Sequence, residues 1–149
     1  MIWKKQKALA ALGIRQERFN LQSPEILKLN LRIDAFLHGY SYGSTFAVNP
    51  QSEHLGTAGI HEMSHIVLGH TYGDAAERPV VTLREVEACA CAILSLKLMG
   101  GTADGIQAQE DHLAQNLEAY KQTHGSLPAG FHDKVAAAFR LLRAGGVEG

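Results

Sequence analysis

Residues 60–71, IHEMSHIVLGHT, put three histidines and one glutamate into twelve residues that otherwise read as a buried helix. His61 and His65 stand four apart, which on a helix sets them on one face with Cβ atoms about 5–6 Å apart. Two imidazoles so placed can reach one tetrahedral cation at roughly 2.0–2.1 Å each, the geometry zinc takes. Glu62 follows about 100° further round the helix. That angle suits it poorly as a ligand, but its carboxylate can lean over the open side of the metal. There it can accept a proton from a metal-activated water, the general-base role of this glutamate in the H-E-x-x-H pattern. The alternative is a solvated polar stripe. Burying two histidines and a glutamate without partners would cost several kcal/mol, so a metal or a dense hydrogen-bond network must answer them.

A catalytic zinc takes three protein ligands and leaves its fourth position to water, so one ligand must come from elsewhere. His70 lies five residues past His65 and faces about 140° away on a continuous helix. It reaches the metal only if the chain turns at Gly69, and it serves more naturally as a helix cap or as support for a ligand. The run REVEACACA, residues 84–92, offers a second source. Glu85 and Glu87 are two apart and point to nearly opposite sides of a helix, so at most one can face the metal. The Glu85 face continues through Ala88, Cys89, Ala92 and Leu96, mostly small residues that let this helix lie close to the histidine helix. Glu85 is favoured on that ground, with Glu87 as the alternative.

Elements must hold these groups in place. Residues 3–19 read as a helix, and LQSP at 21–24 interrupts it. KLNLRI (28–33) alternates polar and apolar as a half-buried strand does, HGYSYGS (38–44) reads as a turn, and TFAVN (45–49) is a second strand stopped by Pro50. The two strands are expected to pair as a small antiparallel sheet, and residues 46–49 could accept an extended peptide if that strand lies at the edge. A helix follows from Gly56 with Thr57 as its N-cap, then a loop over 71–79 and a short apolar run, VVTL. Further helices are expected over 83–99, closed by Gly100-Gly101, over 105–123 and over 131–143. This order predicts one α+β domain over residues 1–149. It comprises an N-terminal helix and hairpin (1–50), catalytic helices (56–100) and C-terminal helices (105–144).

Composition excludes several classes. Fourteen basic against fifteen acidic residues leave a formal charge of -1, which is neither a nucleic-acid binder's balance nor a DNA mimic's. Cys89 and Cys91 are too close for a disulfide framework and read as reduced thiols of a cytoplasmic protein. The N-terminal MIWKKQKALAALGI lacks a cleavage site after a full apolar core, and no stretch approaches the ~20 apolar residues of a membrane span.

The run TFAVNPQSEHLGTAGIHEMSHIVLGHT with REVEACACAILSLKL resembles the zincin-like metallopeptidase domain of ArdC-type antirestriction proteins. More distantly it is similar to the ImmA/IrrE metallopeptidases. In those families a strand ending in Asn-Pro leads into a His-Glu-x-x-His helix, and the first glutamate of a following Glu-x-x-Ala-(Asp/Asn/Glu) pattern completes a zinc site. That pattern falls on Glu85-Val86-Glu87-Ala88-Cys89, so the resemblance also points to Glu85. It extends loosely over residues 43–143. It implies a zincin-like fold, a small antiparallel sheet packed on the active-site helix with three further helices, and Zn2+ held by His61, His65 and Glu85. It further implies Glu62 as the catalytic base and a protein or peptide substrate, in a protein of a mobile element. The alternative is an antirestriction or regulatory interaction protein whose zinc is mainly structural.

Two departures stand out. Cys89 replaces the acid or amide expected at the end of the second pattern, so a supporting hydrogen bond is lost or passes to a thiol. Residues 1–42 are too short for the single-stranded-DNA-binding domain of larger ArdC proteins, so the chain resembles the peptidase part alone. Among the remaining candidates, His54 could orient substrate, and Tyr40, Tyr42 or Tyr72 could supply a phenol to an oxyanion. His112, His124 and His132 read as surface residues.

Overall fold

A computed structural model of the chain describes residues 5–24, 37–70 and 78–145. The strand expected over 28–33 and most of the loop expected over 71–79 lie outside these residues. The described chain is α+β, with five helices and a three-stranded mixed sheet. In chain order these are α1 (Lys5–Leu12), β1 (Arg15–Gln16), β2 (Gly39–Tyr42), β3 (Thr45–Val48), α2 (Leu55–Val67), α3 (Arg78–Met99), α4 (Ala103–His124) and α5 (Phe131–Ala144).

The first helix ends at Leu12, well short of the expected 19. Gly13 takes a left-handed φ of 65°, which turns the chain and buries Ile14. Residues 15–17 then spend their backbone on the sheet: Arg15 N–H donates to Ser44 O and Glu17 N–H to Phe46 O. Those bonds pair β1 parallel to β3, so the sheet is mixed rather than antiparallel. The segment expected as a turn, 38–44, is in fact a strand and its hairpin turn. β2 pairs antiparallel with β3, Tyr40 opposite Ala47, and the turn at Gly43-Ser44 is allowed by a φ of 55° at Gly43. With the order β1-β3-β2, β3 is the middle strand. Its Phe46 and Ala47 are fully buried, so the expectation that residues 46–49 might take an added peptide strand is overturned.

Helix α2 begins two residues before Thr57. Ala58 N–H donates to His54 O, which makes His54 the N-cap residue, with no side-chain hydrogen bond there. Thr57 is buried instead against Gly105 of α4, where any Cβ would collide with the Thr57 hydroxyl. At the other end Gly69 has a φ of 75°, and His70 N–H donates to His65 O at 3.0 Å. This six-to-one bond is the Schellman closure, and it folds His70 back along the helix end. Helix α3 starts at Arg78, earlier than the expected 83, because Pro79 is tolerated in a first turn where its missing N–H is not needed. Gly100, with a φ of 74°, ends α3, and the Thr102 hydroxyl then accepts from Gly105 N–H to cap α4.

Helix α3 packs against α2, α4 and α5. Phe46 of β3 and Ile60 and Met63 of α2 fill the core with Val86, Ala92 and Leu96 of α3 and Val135, Ala138 and Leu142 of α5. Cys89 and Cys91 are unpaired and buried within α3, as small core residues. No described helix is long and apolar enough to cross a membrane.

The sheet is tied to the segment after β1 through two phenols. Tyr40 O–H donates to Glu17 Oε1 at 3.0 Å and Tyr42 O–H to Glu17 Oε2 at 2.7 Å. Burial, with the Glu17 carboxylate beside it, pushes the Tyr40 phenol from 10.0 to about 12. The folded state therefore favours the neutral phenol, a contribution complete below pH 10 and lost as pH rises towards about 12. Urea midpoints measured across that range should fall further for the wild type than for Tyr40→Phe, which cannot ionise.

Candidate metal centre

The i, i+4 spacing on α2 brings His61 Nε2 and His65 Nε2 to 3.1 Å from each other. Glu85 reaches them from α3, with Oε2 3.0 Å from His61 Nε2 and Oε1 3.2 Å from His65 Nε2. Donor atoms about 2.0–2.1 Å from one tetrahedral ion stand roughly 3.3 Å apart, so this triangle suits a single cation. Glu87 points the other way, as the two-residue offset requires. Its Oε1 lies 2.8 Å from His70 Nε2, and both its oxygens are 3.1 Å from Lys134 Nζ of α5. The structure thus brings Glu85, and not Glu87, to the two histidines.

The donor chemistry also fits a cation. Gln109 Oε1, from α4, lies 2.9 Å from His61 Nδ1 and can only accept, so Nδ1 carries the hydrogen. In the neutral ring Nε2 is then a bare lone pair facing carboxylate oxygens. Lone pairs converging in a buried site need a positive charge among them, which a metal ion or a second proton on His61 would supply. Burial alone would lower the His61 imidazole, but hydrogen bonds with Cys89 and Glu85 and the Glu85 charge raise it well above the ordinary range. Burial would likewise raise Glu85, yet His65, His112 and His61 together hold its carboxyl well below the usual value. Burial raises Cys89 too, and its Sγ sits 3.9 Å from His61 Nδ1.

His70 stands outside the triangle. The turn at Gly69 brings its Nδ1 to 2.8 Å from His65 Nδ1, the ring nitrogen turned away from Glu85. Burial lowers its imidazole, against the Glu87 hydrogen bond that raises it, while His70 and Lys134 overcome burial to lower Glu87.

Glu62 is buried beside the histidines, with Ser41 of β2 near its carboxylate. Burial raises its carboxyl above the ordinary value, with His65 and His61 opposing. A glycine on β2 makes room for it. A Cβ at Gly39 would lie 2.6 Å from Ala47 O and 3.1 Å from Glu62 Cγ. A cleft of about 510 Å³ opens here, lined by His38, Gly39 and His54, by Gln109 and His112 of α4, and by His61, Glu62 and Glu85.

Two site residues escaped the sequence. His112, expected at the surface, places Nε2 3.2 Å from Glu85 Oε2 and its ring centroid 5.7 Å from His61, although 44% of its side chain is exposed. Among the described residues, metal-capable atoms form two overlapping groups that share His61: His61, Glu62 and His65, and His61, Glu85, Cys89 and His112. Gln109 was not singled out, yet it supplies the hydrogen bond that the thiol at 89 seemed to forfeit. Residues 109 and 112 share a helix face, which was the available signal. Of the three tyrosines proposed for an oxyanion, Tyr40 and Tyr42 are engaged by Glu17, and Tyr72 lies outside the described residues. His54 does line the cleft, from the helix start.

No protein-family model matches the chain, and neither does any curated protein or solved structure.

Gly39→Ala should cost about 1–3 kcal/mol in urea unfolding, because the new methyl meets the β3 backbone and the stem of Glu62. Gly56→Ala, at an open helical position, should leave stability unchanged or slightly raised.

Proposed function

We propose that the chain is a zinc-dependent metallopeptidase with a zincin-like centre, similar to the ArdC-type domain. The observation that carries this is the triangle of His61 Nε2, His65 Nε2 and a Glu85 carboxylate at 3.0–3.2 Å, with a buried glutamate beside it. Two histidines and a carboxylate are a donor set typical of catalytic zinc. When bound, zinc lowers the pKa of a water to about 7 and polarises a carbonyl.

Glu62 takes the proton of the water that attacks the peptide carbonyl and returns it to the departing amine nitrogen. Its burial suits this work, since a carboxyl with a raised pKa holds a proton more readily near neutral pH. Ser41 of β2 lies near the carboxylate, and Gly39 lets the strand come close to it. The cleft is of the size that small-ligand sites occupy, which suits a short extended segment of a protein or peptide substrate. The near-neutral charge gives no reason to expect nucleic acid as a partner, and the two unpaired thiols accord with the cytoplasm.

A second reading has one observation in its favour. His112, 3.2 Å from Glu85, could add a fourth protein ligand and close the centre, as structural zinc sites are closed. The protein would then work by binding, as an antirestriction or regulatory factor. The buried Glu62 favours the first reading, since a structural site has no need of a base.

Protein purified without added metal should contain about one equivalent of zinc by elemental analysis, lost in Glu85→Ala and largely kept in Glu87→Ala; the reverse pattern would refute the ligand assignment. Glu62→Gln should retain the metal while peptide hydrolysis falls on the order of 10²–10⁴-fold. Comparing proteome-wide cleavage in cells carrying either form would identify substrates. Equal biological effect of both forms would favour the binding role.

A further inference from the structure

We propose that His70 is a positioning residue of this centre: held between Glu87 and His65, it fixes His65 in the tautomer whose Nε2 lone pair faces Glu85. This deepens the zinc reading, on which its purpose rests. The chain of hydrogen bonds starts on α5. Lys134 Nζ lies 3.1 Å from both oxygens of Glu87, and an ammonium can only donate, so the carboxylate meets it with lone pairs. Glu87 Oε1 is also 2.8 Å from His70 Nε2, which must then carry a hydrogen. A neutral imidazole with its hydrogen on Nε2 has only a lone pair on Nδ1. His65 Nδ1 lies 2.8 Å from that lone pair, so His65 is the donor and holds its hydrogen on Nδ1. Its Nε2 is left bare, 3.2 Å from Glu85 Oε1 and 3.1 Å from His61 Nε2.

The relay is built into the fold. Gly69 alone at this helix end has a left-handed φ, and the turn it makes aims His70 back at His65. His65, His70 and Glu87 are 2%, 7% and 4% exposed, so water is a poor substitute for any of the three partners. His61 receives the same treatment from a different helix, where Gln109 takes its Nδ1 hydrogen. Both rings therefore present lone pairs to one point, and neither has to change tautomer when a metal arrives. Groups that orient metal-binding histidines in this way are typically worth 10–100-fold in metal affinity.

Two measurements test the inference on the full-length chain. Long-range 1H–15N correlation of histidine-labelled, metal-free protein reads the tautomer of each ring. Wild-type His65 should show the Nδ1–H form; the Nε2–H form there would overturn the proposal without any variant. His70→Leu should release His65 towards Nε2–H and weaken zinc binding about 10–100-fold in competition with a chromophoric chelator. His70→Asn, whose Oδ1 occupies the place of Nδ1, should restore the tautomer and most of the affinity, and Glu87→Gln should retain both. Wild-type affinity in a folded His70→Leu variant would overturn the role. A wild-type protein that shows the Nδ1–H tautomer but binds no zinc would support the relay while removing the zinc reading.

Discussion

The helices around α2 are arranged around the cost of burying imidazole and carboxylate groups inside a helical core. His61, Glu62 and His65 are each less than a tenth exposed, on a helix whose opposite face holds Ile60 and Met63 in the core. Polar groups placed so deeply must be answered by partners, because an unanswered one costs several kcal/mol. Helix α3 supplies the first answer with Glu85 and can lie close because Ala88, Cys89 and Ala92 are small and fully buried. Helices α4 and α5 supply the second through Gln109 and Lys134. Each helix that packs on α3 thus contributes a polar tie as well as apolar area, so core packing and site geometry stand or fall together.

The sheet has a narrower task. β3 is the buried spine that β1 and β2 flank, and β2 brings Gly39 and Ser41 against Glu62. One face of a four-residue strand therefore shapes the surroundings of a single carboxylate. The glutamate lies beside Ser41, and its stem passes where a Cβ at Gly39 would stand, so only glycine leaves it that room.

The convergence of these side chains was legible in the sequence because it follows from helix periodicity: four residues set His61 and His65 together, and two residues set Glu85 and Glu87 apart. Gly69 could also be read as the place where the chain turns, and His70 stands beside His65 rather than in the triangle. What periodicity cannot carry is the azimuth at which distant helices dock. Gln109 and His112 enter the site from residues 24 and 27 positions beyond Glu85, through packing that no local pattern encodes. The sheet was misread for a related reason. A tyrosine- and glycine-rich segment resembles a turn, and only the pairing with β3 and the grip of Glu17 on two phenols makes it a strand.

The thiol at position 89 has a consequence for how separable this centre is. His61 needs an acceptor behind its ring, and α3 offers only a sulfur at 3.9 Å, so the amide of Gln109 at 2.9 Å does the work. Positions 89 and 109 are therefore interdependent: a carboxylate or amide at the first would relieve the second. With cysteine there, the two-helix motif of α2 and α3 is not a portable module. Transplanted into another scaffold it would carry His61, His65 and Glu85 but lose the amide beside His61 Nδ1, and the smallest unit that keeps that contact includes α4.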